Sequence, residues 1–157
     1  MNFTVDKENK KVLVERKFKA PLNKVWSAWT ESHLLDKWWA PKPWKAETKS
    51  MDFKDGGFWL YAMVGPEGEK HWARADYTLI EILKGFSVLD AFCDEEGNIN
   101  TDFPRSSWVN KFSDLSNETI VTCEIKYNKL EDLEKIIELG FREGFTMALE
   151  NLDQVLS

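Results

Sequence analysis

From Trp44 to Tyr127 apolar and polar residues trade places along six short runs, and beyond Asn128 the apolar residues recur at helical spacing. Strands are predicted over 45–53, 58–64, 71–83, 86–93, 106–112 and 118–127. The breaks between them carry turn chemistry: Asp55-Gly56-Gly57, Gly65-Pro66-Glu67-Gly68, Lys84-Gly85, Glu96-Gly97-Asn98 and Ser116-Asn117. The Gly65–Gly68 segment reads as a hairpin, so the second and third runs should pair. Along the last run Val121, Cys123, Ile125 and Tyr127 alternate with Thr122, Glu124 and Lys126. One face of such a sheet is buried and the other is wet.

The first ordered element is predicted over 11–18, with Val12, Val14 and Phe18 on one strand face. Pro21 suits the first turn of a short helix carrying Val25, Trp26, Ala28 and Trp29. Ser32 can cap a second short helix with Leu34, Leu35, Trp38 and Trp39, which Pro41 and Pro43 end. A final helix is predicted over 131–156, where Ile137, Phe141, Phe145, Ala148, Leu152 and Val155 share a stripe. Asn128 and Glu131 have the spacing of a capping box. A helix of that length would span about 39 Å, enough to cross a small sheet. Gly140 and Gly144 each cost it about 1 kcal/mol of propensity relative to Ala, which points to a close approach, a cavity, or tolerated kinks. This order does not read as βαβ units. It predicts an α+β domain with a bent antiparallel sheet around the last helix.

The 157 residues fit one domain over 1–157, large enough to need no disulfide or metal staple. A net charge of −6 excludes broad electrostatic binding to nucleic acid. No run is long and apolar enough for a membrane helix, and the first residues show no signal-peptide pattern. Cys93, Cys123, His33 and His71 stand at no zinc-ligand spacing, so neither metal nor cofactor is expected. Free thiols predict a reducing cytoplasm, with Cys123 a small buried hydrophobe. No G-x-S-x-G elbow, phosphate-cradling loop or H-E-x-x-H helix occurs, so the sequence offers no support for nucleophilic or metal-dependent catalysis.

Several segments in this order resemble one family. They are Ala20-Pro21 followed by Val25-Trp26-Ser27-Ala28-Trp29, Trp38-Trp39-Ala40-Pro41-Lys42, and Asp55-Gly56-Gly57-Phe58-Trp59. Gly65-Pro66-Glu67-Gly68 and the stretch from Leu130-Glu131-Asp132-Leu133 to Gly140-Phe141-Arg142-Glu143-Gly144-Phe145 complete the set. The chain is similar to the proteins homologous to the activator of the heat-shock protein 90 ATPase, within the START-like (SRPBCC) superfamily. The resemblance implies a helix-grip fold: a bent sheet wrapped around a C-terminal helix, closed at one end by two short helices. It also implies a cavity that relatives use for apolar molecules. The eukaryotic co-chaperone's extra amino-terminal domain and its N-N-W-H-W-type segment have no counterpart here, so little ATPase stimulation is expected.

The aromatic content is high, with 8 Trp, 10 Phe and 3 Tyr, and suits a large core or a cavity wall. Placed on that fold, Tyr77, Trp108, Phe141 and Phe145 should face one another across the space between sheet and helix. Trp39 should stand near its mouth, Ala148 should line it from the helix, and Tyr77 should orient a ligand. The consecutive rings of Trp38 and Trp39 point about 100° apart on a helix. They either both plug the short helices onto the sheet or leave one at the cavity mouth. Arg74 and Asp76 are expected to form a solvated ion pair on the outer face, and His33 and His71 to be exposed. Asp36 stands one turn from His33 and could pair with it. The leading expectation is non-catalytic binding of a small hydrophobic molecule. A chaperone-interaction module and a cavity enzyme are the alternatives.

Overall fold

A computed structural model describes residues 1–157. Its strands are β1 (Asn2–Asp6), β2 (Lys11–Phe18), β3 (Lys45–Met51), β4 (Phe58–Val64), β5 (Lys70–Glu81), β6 (Gly85–Phe92), β7 (Ser106–Asp114) and β8 (Thr119–Tyr127). The helices are α1 (Leu22–Thr30), α2 (Ser32–Trp38), α3 (Leu130–Glu138) and α4 (Phe141–Leu156). All eight strands form one antiparallel sheet in the order β1-β2-β8-β7-β6-β5-β4-β3. Bulges at Thr48–Ser50 in β3 and at Tyr77–Leu79 in β5 shift the register, and bulges bend the strands that carry them. With the C-terminal helix against this open sheet, the molecule has the α+β helix-grip architecture.

The burial pattern follows the sequence period. Val12, Val14 and Phe18 of β2 and Val121, Cys123 and Ile125 of β8 are buried, while their alternates reach solvent. The β4–β5 hairpin forms across Gly65–Gly68 as expected. Helices α1 and α2 carry the chain from β2, second in the sheet, to β3 at the opposite edge, burying Val25, Trp26, Ala28, Trp29, Leu35 and Trp38 on the way. Arg16, on the inward side of β2, donates to the Leu149 carbonyl at 2.6 Å and pairs with Asp153 at 2.5 Å, tying α4 to the sheet.

The structure departs from the sequence reading at both ends. Strand β1 pairs with β2 from Asn2↔Glu15 to Asp6↔Lys11, although Phe3 and Val5 are too few apolar residues to mark a strand. The terminal helix is two helices. Leu139 ends α3, and Gly140 adopts φ +95°, a left-handed conformation that only glycine takes at little cost. The predicted cap at Asn128 is absent, because Lys129 occupies the cap position of α3 without a side-chain hydrogen bond. Helix α4 therefore spans 16 residues, about 24 Å, and α3 turns aside to cover the sheet near β8.

Candidate functional site

The elbow between α3 and α4 leaves a cavity of about 390 Å³ against the sheet. Its size falls within the range of small-ligand sites, about 300–1,000 Å³. Trp108 of β7, Phe141 and Phe145 of α4, and Trp39 after α2 form its ring-lined wall. Phe141 and Phe145 stack at 5.4 Å, and Trp108 meets them edge-on at 6.0 and 5.5 Å. Trp39 reaches Phe145 at 6.2 Å and Trp108 at 5.9 Å, which closes the circle of rings. The mouth carries Phe92, Phe103 and Leu139, all exposed.

Hydrogen bonds fix the deep wall. Asp36 accepts from the Thr48 hydroxyl at 2.6 Å, and the Thr48 oxygen accepts from Trp59 Nε1 at 2.9 Å. Trp59 stacks on Tyr61 at 3.9 Å, and the Tyr61 hydroxyl accepts from Trp39 Nε1 at 3.0 Å. A chain of four side chains thus orients Trp39. Burial pushes the Tyr61 phenol well above its ordinary pKa, so it keeps its proton.

Two acidic residues line this space, Asp132 of α3 and Asp90 of β6. Asp90 of β6 accepts from the Ser106 amide and hydroxyl, both at 2.7 Å, and from Trp108 Nε1 at 3.1 Å. Burial raises its pKa above the usual carboxylate value, and the hydrogen bonds from Ser106 and Trp108 and the nearby Arg105 charge oppose that shift. A carboxyl group so held can hydrogen-bond a polar atom of a guest. Beyond the cavity lies a smaller chamber of about 40 Å³, and Trp39, Tyr61, Asp90 and Trp108 line both spaces. No group of three or more His, Cys, Asp or Glu side chains converges anywhere to hold a metal ion.

Residues 19–157 match the family described as Activator of Hsp90 ATPase homolog 1-like protein. The chain belongs to this family. Protein Ms6760 of Mycobacterium smegmatis shares 30% identity over 100% of this chain and 96% of its own, with a TM-score of 0.91. A protein of Arthrobacter aurescens solved by NMR shares 30% identity over 99% of this chain and 90% of its own, with a TM-score of 0.92. Protein NE0264 of Nitrosomonas europaea shares 26% identity over 94% of both chains, with a TM-score of 0.83. No curated protein matches the chain. Membership in the Activator of Hsp90 ATPase homolog 1-like family, with its START-like fold, supports a ligand-binding or co-chaperone-like domain. No helix is long and apolar enough to cross a membrane.

Within this family fold, four of the six residues singled out from the sequence come together in the cavity: Trp39, Trp108, Phe141 and Phe145. Trp39 stands on the partition between the two spaces and not at the mouth, because its Nε1 is held by Tyr61 deep in the wall. Its neighbour Trp38 is the plug, fully buried with Nε1 donating to the Ala28 carbonyl at 2.9 Å. Tyr77 lies in the smaller chamber, packed on Phe53 at 4.9 Å, and does not face Phe141. Ala148, about one turn beyond Phe145 toward the C-terminus of α4, is buried in the core and lines neither space. Gly144 takes the lining position instead.

The expected solvated pair of Arg74 and Asp76 is a half-buried triad. Arg74 Nη2 donates to Asp76 at 2.6 Å, and Arg105 pairs with the other oxygen of the same carboxylate. Arg74 also donates to the Gly97 carbonyl at 2.7 Å and covers the Phe58 ring at 3.9 Å. These contacts hold the segment that brings Phe103 and Pro104 to the mouth. Asp36 serves Thr48 and not His33, while the exposed His71 sits at the cavity edge beside Trp44. Cys123 is buried, which raises its thiol pKa far above the ordinary value. Asp90, Ser106, Tyr61 and Asn110 escaped the sequence reading. Asp90 follows Phe86 and Val88 on the inward face of β6, and Asn110 sits between Trp108 and Phe112 on that of β7. A polar residue on an inward register position was the available signal.

Proposed function

We propose that the chain binds a small, ring-bearing hydrophobic molecule, without catalysis, in the cavity between the sheet and the α3–α4 elbow. The observation that carries this reading is the roughly 390 Å³ space walled by Trp39, Trp108, Phe141 and Phe145. Rings set edge-on to one another offer both faces and edges to an aromatic guest. Asp90 is already engaged by three donors and has no histidine or thiol as hydrogen-bond partner, which supports binding over turnover. A function housed in the interior also leads us to expect no several-fold stimulation of the heat-shock protein 90 ATPase.

A thermal-shift screen of fatty acids, flavonoids and polyketide-like aromatics tests the reading. A ligand present at a hundred times its dissociation constant raises stability by about 2.7 kcal/mol. Gly144→Leu fills the cavity from a helical position whose added Cβ meets only Pro41 at an ordinary 3.8 Å. It should abolish the shifts while leaving the fold intact. If no compound shifts the melt, or if Gly144→Leu leaves every shift in place, the reading fails.

One observation favours a second reading, proton transfer by Asp90: its pKa is raised and its carboxyl faces the cavity. Mass spectrometry of the hits after incubation separates the two. Unchanged compounds support binding, and a product that disappears with Asp90→Asn promotes the enzyme.

A further inference from the structure

Two buried polar atoms in this core have no hydrogen-bond partner: Trp29 Nε1 and Asn110 Oδ1. Their residues are 3% and 2% exposed, so bulk water does not serve them. Both side chains line the same inner chamber of about 40 Å³, more than the ~10–15 Å³ that one water needs. Tyr77 lines it too, with its phenol pKa raised by burial so that the O–H stays a donor. Buried polar groups are nearly always paired, and two unpaired atoms on one small void make it a polar site suited to a group that both accepts and donates.

We infer that this chamber is a hydroxyl-binding subsite of the ligand cavity. The inference rests on the binding reading above and narrows it to hydroxylated ring compounds that enter with the hydroxyl leading. The chamber adjoins the cavity: Trp39, Tyr61, Asp90 and Trp108 line both, and a leading hydroxyl enters between these side chains. The chemistry of the orphans selects the group. Trp29 offers an N–H and needs an acceptor, whereas Asn110 Oδ1 needs a donor. A hydroxyl oxygen accepts from the first while its proton is donated to the second. A carboxylate satisfies Trp29 only and brings negative charge toward Asp90. An ammonium group satisfies Asn110 and leaves the indole N–H unpaired. In the absence of ligand, a water can take the same two bonds.

Calorimetry with 2-naphthol, naphthalene and 2-naphthoate tests the inference on the full chain. Expected is 2-naphthol binding about tenfold tighter than naphthalene, since discrimination follows from leaving buried polar groups unpaired, with 2-naphthoate weakest. Trp29→Phe and Asn110→Leu should each narrow the gap between 2-naphthol and naphthalene. If either variant fails to fold, the wild-type protein still decides: 2-naphthol, and not naphthalene, should shift the Trp29 indole N–H resonance. Equal binding of 2-naphthol and naphthalene, blocked by Gly144→Leu, would overturn the hydroxyl subsite and leave the cavity reading standing. Binding by none of the three overturns both.

Discussion

Asp90 is the residue whose chemistry depends most on its surroundings. Its folded-state pKa is raised, with burial the largest cause, so the folded protein holds that proton more tightly than the unfolded chain. The resulting stabilisation is fully present below the ordinary carboxyl value near 4 and is lost as pH rises through the folded value. Urea melts of the wild type and Asp90→Asn across pH 4 to 8 should show the wild-type advantage shrinking as pH rises and then levelling. An advantage that grows with pH would mean that the Ser106 and Trp108 hydrogen bonds outweigh burial. The two stacked phenylalanines separate in the same kind of experiment. Phe145 is buried and Phe141 only partly so. Phe145→Ala should cost about 3 kcal/mol, the low end for a buried ring because part of its surface already faces a cavity. Phe141→Ala should cost less, and an equal loss would place both rings in the packed core.

At the scale of elements, the α3–α4 elbow sets the site. Gly140 and Gly144 lie one helical turn apart, yet they act by different physics. An added Cβ at Gly140 would find space, with Glu143 Oε2 at 3.7 Å its nearest contact, but φ +95° strains any L residue. Gly144 is helical and opens onto the cavity. Gly140→Ala should therefore destabilise by about 1 kcal/mol, while Gly144→Ala should stabilise by about 0.5–1 kcal/mol through helix propensity. Denaturant midpoints of the two variants check the opposite signs. Two losses would mean that α4 tolerates nothing beside Pro41, and two gains would mean that the elbow can straighten.

Across the whole molecule, one sheet and the helices packed on it share a continuous core. Trp38 and Phe18 are buried together with Ile125 and Leu152 in a single cluster that draws on the N-terminal, central and C-terminal elements. We expect residues 1–157 to unfold as one cooperative unit. Tryptophan fluorescence and far-UV circular dichroism should give coincident urea transitions. Separate midpoints would show that α3, which touches little besides α4 and β8, opens on its own.

Element type and order were legible in the chain because they rest on local period and turn chemistry. Val121, Cys123 and Ile125 alternate with polar residues whatever lies across from them, and Gly65–Gly68 turns the chain by its own conformational freedom. The ring cluster of Trp39, Trp108, Phe141 and Phe145 was legible for another reason, since the fold of the resembled family sets their segments around one space. What the local pattern could not carry was the break at Gly140. Helical spacing runs unchanged through Leu139, and only tertiary packing settles whether a glycine kinks or continues a helix. Nor does helical spacing say how far along α4 the cavity extends: Gly144 lines it, whereas Ala148, a turn beyond Phe145, is in the packed core. Tyr77 lies on the expected face but lines the inner chamber, because depth along a strand depends on which rings from the helices meet above it. The polar atoms of Asp90, Trp29 and Asn110 were visible as residues. Their meaning came from three dimensions, where one finds partners and the other two face a void without them.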